Sequence, residues 1–582
     1  MDTHLIKKTG SHYTSTSLSD FMSDKLLNHF KDNEEFQNNK TYKILDPSCG
    51  EGELLYSVKK ILDREKLEYK LMGIDTNEYA IRQASSRFSN VNTEIVVGDY
   101  LELFNKAKEN LSTTDSHSYP LEMADMIIAN PPYVRTQILG ADKAKSLGRE
   151  FGLKGRVDLY QAFLVAMTRQ LKDGGLICVI TSNRYLTTVG GKDIRNFLNE
   201  NYDILEVIDL GDTKLFDAAV LPAIFVGRKK TNKLSLRNDD VPFIRIYEEL
   251  NNKNNVDYKI EGSVLDILKN NQSGVYKADN GKNYKVTFGY LTIPENPKEL
   301  WIMASKEDKE WSSRLKENAY CEFGDLFKVK VGIKTTADSV FIKSSEEWSS
   351  LSSNLKPEYD VLFPLISSDN ISKWKLNNDI IERTKILYTH VSIDGKKRAI
   401  DLEKFSNTKN YLLLHYERLS GRSYLANSKS RYWYEIWVPQ DPLAFSKLKV
   451  VFPDISPAPK FSVDSSKSLV DGNCYWLTPL QTEYEDYLYL ACAIGNSKVM
   501  QKFHEIEFQN VLYSGRKRYL TQYVKHYLMP NLFCEESQKV ISVVKEIMNI
   551  SDSSLIIKKE KEIEELLLKA FKINEYRKGI QI

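Results

Sequence analysis

The fold is decided by the stretch Tyr42-Lys43-Ile44-Leu45-Asp46-Pro47-Ser48-Cys49-Gly50-Glu51-Gly52. Residues 41–45 are a short strand candidate, two glycines follow it, and a helical pattern begins near Glu53. A strand, a glycine turn and a helix in this order let a ligand approach backbone that a Cβ atom would block. The stretch therefore predicts the first strand-turn-helix unit of an α/β sheet, with a ligand site at the turn.

Outward from this unit, short apolar runs alternate with amphipathic stretches such as 54–66 and 160–172. The strand candidates are residues 41–46, 70–75, 93–99, 123–130, 175–181, 202–210 and 222–228. This pattern predicts a doubly wound α/β sheet with helices on both faces. We expect a first domain at 1–235, a polar linker at 227–240 and a second, mixed α+β domain at 236–582, mainly helical from 471.

Composition excludes several classes of protein. The chain has 81 Lys and Arg against 79 Asp and Glu, a net charge of +2. This charge excludes a polycationic protein that coats nucleic acid indiscriminately. No apolar run approaches the roughly 18 residues of a membrane helix, and the first residues lack a signal-peptide core. We therefore expect a cytoplasmic protein without a membrane partner. The six cysteines lack C-x-x-C pairing, which argues against a disulfide framework and against a bound metal.

Two aspartates follow the second and third strand candidates. Asp75 ends the second, where a carboxylate can accept hydrogen bonds from ribose hydroxyls, as in dinucleotide sites. Asp99 ends the third, where it can accept a hydrogen bond from the exocyclic amine of an adenine ring. Either residue alone is also a common helix N-cap. Together with the glycine turn they predict a nucleoside-binding edge of the sheet.

The fourth strand candidate is followed by Asn130-Pro131-Pro132-Tyr133. Two prolines fix successive φ angles and remove two backbone donors, so this loop presents rigid carbonyl acceptors. The Asn130 side-chain oxygen and the Pro131 carbonyl can accept both hydrogens of an aromatic amine, which localises the nitrogen lone pair and makes it nucleophilic. Tyr133 offers an aromatic face to a planar base. The alternative is a proline-rich turn with a buried tyrosine.

These residues resemble a known family. Residues 46–52 resemble the D-P-x-C-G-x-G cofactor motif of S-adenosylmethionine-dependent amino-methyltransferases acting on DNA, and 130–133 match their catalytic N-P-P-Y. The motif order resembles the gamma class (TaqI-like) of N6-adenine DNA methyltransferases over residues 8–230. The resemblance implies a Rossmann-like methyltransferase sheet, a C-terminal target-recognition domain and methylation of a flipped-out adenine in duplex DNA. It also implies a monomer that is the modification half of a restriction-modification system, with a cognate restriction endonuclease as partner.

The resemblance also implies roles for individual residues. The cofactor S-adenosylmethionine would be bound by Tyr13 and Thr14 at its methionine end, by Asp46, Cys49 and Gly50 around the methionine, by Asp75 at the ribose, and by Asp99 and Tyr100 at the adenine. Catalytic roles fall on Asn130 and Pro131, which bind the target amine, and on Tyr133 and Phe216, which stack on the extruded base; Phe216 has a core position as its alternative. Residues 156–163 resemble the element of the family that packs near the cofactor adenine. Residues 171–175 resemble the L-K-x-G-G turn of the same family. Glu51 departs from the small residue that many relatives carry.

The second half is expected to hold DNA. A glycine before Arg516, Lys517 and Arg518 predicts an exposed loop whose cations bind DNA. Residues 431–437 interleave aromatic and basic side chains, which is typical of a nucleic-acid surface but also of a half-buried strand. Residues 329–341 resemble a stretch of related target-recognition domains.

Four alternatives remain open. N4-cytosine methyltransferases use the same amine chemistry but usually have Ser at the position of Asn130. Protein-glutamine methyltransferases share N-P-P-Y but are much smaller. A fused restriction enzyme would need a metal-nuclease module, and no convincing P-D…E-x-K pattern occurs. A non-catalytic DNA-binding or S-adenosylmethionine-sensing protein would not need the intact residues 130–133.

Overall fold

The computed structural model describes residues 14–573, except for 32–39, 90, 111–121, 135–137, 139, 154–156, 216–220, 232–240, 250–258, 261, 295, 297–298, 427, 429, 510 and 513–514. The chain divides into two compact units. The first is Met1–Asp308 with Phe508–Gly515, and the second is Lys309–Glu507 with Arg516–Ile582.

The first unit is built on the sheet that the sequence predicts. Its first seven strands are β1 (Tyr42–Asp46), β2 (Tyr69–Asp75), β3 (Thr93–Val97), β4 (Ala124–Ala129), β5 (Leu171–Ser182), β6 (Tyr202–Asp209) and β7 (Pro222–Lys229). They lie in the order β3-β2-β1-β4-β5-β7-β6, with β7 antiparallel to both neighbours and the first five parallel. The order reverses between β1 and β4, so the loops after these two strands open at the same edge.

Helices cover both faces, as predicted. Apolar side chains on one face come from α1 (Thr16–Lys31), α2 (Glu53–Arg64), α3 (Glu78–Arg87) and α9 (Val264–Lys269). On the other face they come from α4 (Tyr100–Asn110), α5 (Ala141–Phe151), α6 (Leu159–Gln170) and α8 (Lys192–Asn201), while α7 (Arg184–Thr187) is a single turn after β5. The sheet therefore separates two apolar cores within one unit.

The sheet continues beyond residue 235, where the sequence analysis placed a domain boundary. Five further strands follow: β8 (Val241–Glu248), β9 (Lys259–Ile260), β10 (Gly274–Lys277), β11 (Asn283–Thr292) and β12 (Ile302–Ala304). Strand β8 pairs in parallel with β6, and β11 pairs with β8, β10 and β12. The buried residues Phe243, Ile244 and Ile246 of β8 join the cores of the first seven strands. Because of this apolar packing, the first unit extends to Asp308 instead of ending near residue 235.

Close packing shapes the turn after β1. Gly52 has φ of 80° and is the N-cap of α2, a left-handed conformation that favours glycine. A Cβ on Gly73 in β2 would lie 2.9 Å from the Cys49 sulfur and 2.7 Å from Ile95. Residues 171–175, expected as a turn, instead begin β5, and the register with β4 shifts there between Ala124 and Met126.

The second unit is mixed α+β, as predicted. Its strands are β13 (Cys321–Glu322), β14 (Phe327–Val331), β15 (Ile342–Ser344), β16 (Leu362–Ile366), β17 (Trp374–Lys375), β18 (Thr384–Leu387), β19 (His390–Ile393), β20 (Lys396–Ala399), β21 (Lys449–Pro453), β22 (Ile455–Ser456), β23 (Ser462–Asp464), β24 (Leu469–Val470), β25 (Cys474–Pro479), β26 (Lys517–Arg518) and β27 (Leu528–Met529). Its main sheet has the order β14-β25-β21-β23-β17, and β19 and β20 form a separate two-stranded ribbon.

The helices of this unit are short until the C-terminal part, and its first helix begins at the last residues of the first unit. They are α10 (Lys306–Glu317), α11 (Phe323–Leu326), α12 (Asp338–Phe341), α13 (Ser345–Ser350), α14 (Asn378–Ile381), α15 (Ser406–Leu413), α16 (Tyr416–Ser420), α17 (Ser423–Ala426), α18 (Tyr487–Asn496), α19 (Lys498–Glu507), α20 (Thr521–Val524), α21 (Glu535–Ile547) and α22 (Ser553–Ala570). The helical periodicity near the C-terminus correctly predicted α18, α21 and α22.

Candidate functional site

A cavity of about 440 Å³ opens at the carboxyl edge of the first unit's sheet, a size typical of small-molecule sites. Five of the predicted site residues line it: Gly50, Asp75, Asp99, Tyr100 and Asn130. They come from the loops after β1, β2, β3 and β4. The switch in strand order between β1 and β4 thus assembles the predicted residues around one cavity.

Asp75 ties the second strand to the glycine turn. Its Oδ2 accepts a hydrogen bond from the Gly50 amide at 2.9 Å, and its Oδ1 accepts one from the Asn77 amide at 2.8 Å. The carboxylate is therefore held rigidly at the cavity wall. Each oxygen retains a lone pair with which it can accept a ligand hydroxyl.

Asp99 is both a helix cap and a cavity residue. Its Oδ1 accepts hydrogen bonds from the amides of Leu101 at 2.9 Å and Glu102 at 3.4 Å in the first turn of α4. The Oδ2 atom of Asp99 takes no part in this cap. Tyr100 also lines the cavity, but its hydroxyl donates to Gln170 Oε1 at 2.8 Å within the core.

Asp46 and Cys49 do not line the cavity, although both were predicted to contact the cofactor. Cys49 packs in the apolar core beside Gly73, and burial raises the pKa of its thiol. Asp46 is 1% exposed, and its Oδ1 accepts from the Ser48 amide at 3.1 Å. Burial, followed by repulsion from Asp75, raises the pKa of Asp46 to about 8. Its Oδ2 has no hydrogen-bond partner among the described residues.

Asn130 is held from two sides. Its Nδ2 donates to Thr14 Oγ1 at 3.0 Å, and its Oδ1 accepts from the Tyr133 hydroxyl at 2.7 Å. That hydroxyl also lies 3.2 Å from the Ile180 carbonyl of β5. Burial raises the pKa of Tyr133, which is 8% exposed, so the phenol stays a neutral donor.

The glycine turn and the Asn130 loop are in direct contact. Ser48 Oγ donates to the backbone carbonyl of Asn130 at 3.2 Å. Pro131 is buried, while Pro132 lines the cavity. Of the remaining predicted residues, Tyr13 and Phe216 lie outside the described residues.

Sequence reasoning missed part of the wall. Leu159 and Phe163 line the cavity from α6, within the stretch that resembles the family's adenine-side element. The residues without such a prediction include Thr76, Asn77, Ala80, Leu101, Glu102, Asn105, Val134, Lys143, Ser146, Leu147 and Glu150. Those from 143 to 150 lie on α5, whose amphipathic pattern directly after the N-P-P-Y loop was the available signal. Glu51, the departure from the family pattern, is exposed and does not line the cavity.

The cavity suits a nucleoside that carries positive charge. Its wall contains four carboxylates (Asp75, Asp99, Glu102 and Glu150) and one cation, Lys143. Leu147, Leu159 and Phe163 add an apolar surface for a ring. S-adenosylmethionine combines a sulfonium, ribose hydroxyls and an adenine, and these residues fit each part.

The basic triplet of the second unit is not the exposed loop that the sequence suggested. Arg516 is exposed, but Lys517 and Arg518 form β26 and pair with β22. Lys517 is 8% exposed and its Nζ lies 2.6 Å from Glu505. Arg518 contacts Asp454 through Nε at 3.1 Å and Nη2 at 2.5 Å. The half-buried carboxylates of Glu505 and Asp454 therefore neutralise these two cations.

The described part of the chain lacks both a cluster of metal ligands and a helix suited to span a membrane. It contains no group of three or more His, Cys, Asp or Glu side chains arranged to hold a metal ion. No helix within the same residues has the length and apolar character needed to cross a bilayer.

Comparison with known proteins gives consistent matches. Residues 69–216 match a family model described as Eco57I restriction-modification methylase. The chain is 46% identical to the type II methyltransferase M.BanIII of Aneurinibacillus aneurinilyticus, with 97% of each chain covered. It is 24% identical to the type II methyltransferase M.BstVI of Geobacillus stearothermophilus, with 91% of each covered.

Among solved structures, the type IIL restriction-modification enzyme MmeI, in complex with DNA, has the same fold. Its TM-score is 0.63 at 14% identity, over 99% of this chain and 78% of that one. The identity to M.BanIII extends over nearly the whole of both chains. This chain therefore belongs to the type II DNA methyltransferases of restriction-modification systems, which use S-adenosylmethionine.

Proposed function

We propose that the protein transfers a methyl group from S-adenosylmethionine to the N6 amine of an adenine flipped out of duplex DNA. The observation that carries this proposal is the contact between the glycine turn and the Asn130 loop, made by Ser48 Oγ and the Asn130 carbonyl. It brings an amine-binding asparagine to the wall of a cavity that fits the methyl donor.

The orientation of the Asn130 amide supports this role. An amide has two ends of similar size, and only its oxygen can accept a hydrogen bond from an amine. Thr14 Oγ1 holds Nδ2, and the Tyr133 hydroxyl holds one side of Oδ1. We assign Oδ1 as the acceptor for the target amine.

The chain's residues activate and hold the target base. The Asn130 oxygen and the Pro131 carbonyl accept the two amine hydrogens and so localise the nitrogen lone pair. When bound, S-adenosylmethionine supplies a methyl group on a positively charged sulfur. Asp75 would hold its ribose, and Asp99 with Phe163 its adenine.

Access to the amine requires base flipping, because the adenine amine is paired inside the duplex. Tyr133 and Phe216 are the residues that we assign to stack on the extruded base. Tyr133 exposes only 8% of its surface, so the arriving base must displace neighbours that now cover it. Within a restriction-modification system the partners would be double-stranded DNA and a cognate restriction endonuclease.

Replacing Asn130 tests the reaction. The wild-type protein, incubated with labelled S-adenosylmethionine and duplex DNA, is expected to place the label on adenine. Asn130→Ala removes one acceptor and is expected to lower the rate by about 100-fold or more, while calorimetry shows unchanged binding of the methyl donor. Asn270→Ala, at the exposed end of α9, is the matched control. Label on cytosine or on protein would contradict the proposal.

A further inference from the structure

The ribbon of β19 and β20 carries three consecutive exposed cations, Lys396, Lys397 and Arg398. None of them has a carboxylate within 4 Å among the residues that the structure describes. The ribbon is hydrogen-bonded as a two-stranded sheet of its own. A two-stranded β-ribbon is one of the two elements that fit the major groove of duplex DNA.

The loop of residues 431–437 lies beside the base of this ribbon. Thr389 Oγ1 donates to the Tyr434 carbonyl at 3.1 Å, and the Tyr434 hydroxyl donates to the Ile400 carbonyl at 2.7 Å. Burial, followed by the charges of Lys397 and Arg431, lowers the pKa of His390 to about 3. The cation of the loop and the cations of the ribbon are therefore neighbours.

The same loop presents aromatic rings beside its cation. Tyr432 is 60% exposed and Trp437 is 42% exposed, whereas Tyr434 and Ile436 are buried and anchor the loop. Arg431 donates through Nη1 to the Trp437 carbonyl at 3.0 Å. Exposed aromatic rings next to cations are typical of nucleic-acid contacts.

A third group of cations adjoins the other end of the loop. The Lys334 and Val438 amides bond each other's carbonyls, and Gln440 Nε2 donates to the Val331 carbonyl at 2.7 Å. Burial, followed by repulsion from Lys328, lowers the pKa of Lys330; the charge of Asp441 opposes this shift and that of Lys447 adds to it. None of these three lysines has a carboxylate within 4 Å in the described chain. A polyanion would relieve their mutual repulsion.

We propose that the second unit contacts the phosphates of duplex DNA with one cationic face, whose ribbon enters the major groove. The cationic face consists of Lys328, Lys330, Lys396, Lys397, Arg398, Arg431 and Lys447. It takes the role that the sequence suggested for Lys517 and Arg518, whose charges are already neutralised inside the unit. The inference rests on the proposed function, because it presumes duplex DNA as substrate.

The salt dependence of DNA binding tests whether the cationic face contacts the DNA phosphates. Full-length protein is titrated with a fluorescent random-sequence duplex, and anisotropy is measured from low to physiological salt. The variant Lys396→Ala/Lys397→Ala/Arg398→Ala is expected to bind about tenfold more weakly or worse and to lower the salt slope by about 2 to 3. The variant Lys328→Ala/Lys447→Ala, on other elements, is expected to lower the slope by about 1 to 2.

The matched control is Lys539→Ala/Lys558→Ala/Lys561→Ala, which removes the same charge from exposed positions on α21 and α22. It is expected to keep the wild-type slope, and all variants are expected to bind S-adenosylmethionine as the wild type does. Equal slopes for the wild type and both face variants would overturn the inference and leave the proposed function standing. Preferred binding of single-stranded RNA through these cations would overturn it as well. A wild-type protein that neither binds nor methylates duplex DNA would instead refute the proposed function.

Discussion

At the residue scale, we expect Thr14 to position Asn130, in addition to the cofactor contact that its motif suggests. Its Oγ1 accepts a hydrogen bond from Asn130 Nδ2 and so holds the Asn130 side chain in position. Thr14→Val keeps the shape and removes the acceptor, and one hydrogen bond of about 0.5–1.5 kcal/mol corresponds to a rate loss of about two- to tenfold. Single-turnover rates measure the loss, and Thr14→Ser is expected to restore the rate. Equal rates in the Val and Ser variants would refute this positioning role.

Asp46 gives the protein a pH dependence of stability. Burial raises the pKa of Asp46 from 3.8 to about 8, so the folded carboxyl keeps its proton where an unfolded one has lost it. This contribution is fully present below about pH 4 and is lost as the pH rises towards 8. Asp46→Asn cannot ionise, so its melting temperature relative to wild type is expected to rise by at least about 2–4 °C between pH 5 and pH 8.

Thermal melts without cofactor measure this difference. Asp279→Asn, at an exposed position of the same unit, is the control and is expected to show a constant offset. An Asp46→Asn offset that does not change with pH would show that the carboxyl is ionised in the folded protein.

At the element scale, the loop of residues 431–437 is held in shape by a buried guanidinium. Arg422, 8% exposed, donates to the carbonyls of Leu419, Thr335, Trp433 and Glu435 at 2.7–3.0 Å. Arg422→Met removes all four of these hydrogen bonds. The Thr335 and Glu435 carbonyls keep the Thr336 and Tyr424 hydroxyls as donors, whereas the Leu419 and Trp433 carbonyls lose their side-chain donor, so the substitution is expected to cost about 3 kcal/mol or more. Hydrogen exchange is expected to accelerate in the loop.

The exposed Arg418 supplies the comparison for this prediction. Arg418→Met removes one bond to Ser339 Oγ at the surface and is expected to change stability by less than about 0.5 kcal/mol. Unchanged exchange of the loop in Arg422→Met would mean that the apolar anchors Tyr434 and Ile436 suffice.

The strands were easier to predict from the sequence than the contacts that individual side chains make. The seven strands up to Lys229 are short apolar runs, a local signal, and Asp75 and Asp99 were found because they end such runs. The position of Cys49 depends on its packing against Gly73 of β2, which no local pattern reveals. Likewise, Lys517 and Arg518 are neutralised by Glu505 and Asp454, and only the fold brings Asp454 to them. The continuation of the sheet into β8 was missed because a polar stretch precedes that strand.

At the scale of the whole molecule, the two units have separate apolar cores. S-adenosylmethionine at about 100 times its Kd is expected to stabilise the first unit by about 2.7 kcal/mol. Hydrogen-exchange mass spectrometry should show the added protection within Met1–Asp308, with little change in the strands β21 and β25 of the second unit. Equal added protection in those two strands would mean that the units unfold together.

We expect the strands beyond residue 235 to protect the protein from self-association as well. Strand β6 lies between β7 and β8, and at Val207, Ile208 and Asp209 it pairs with a strand on each side. A fragment that stops at the linker would leave β6 as a bare edge, flanked by buried apolar residues such as Ile208 and Val207. Such an edge recruits strands from other molecules, so the catalytic part of this chain cannot be shortened there without inviting aggregation.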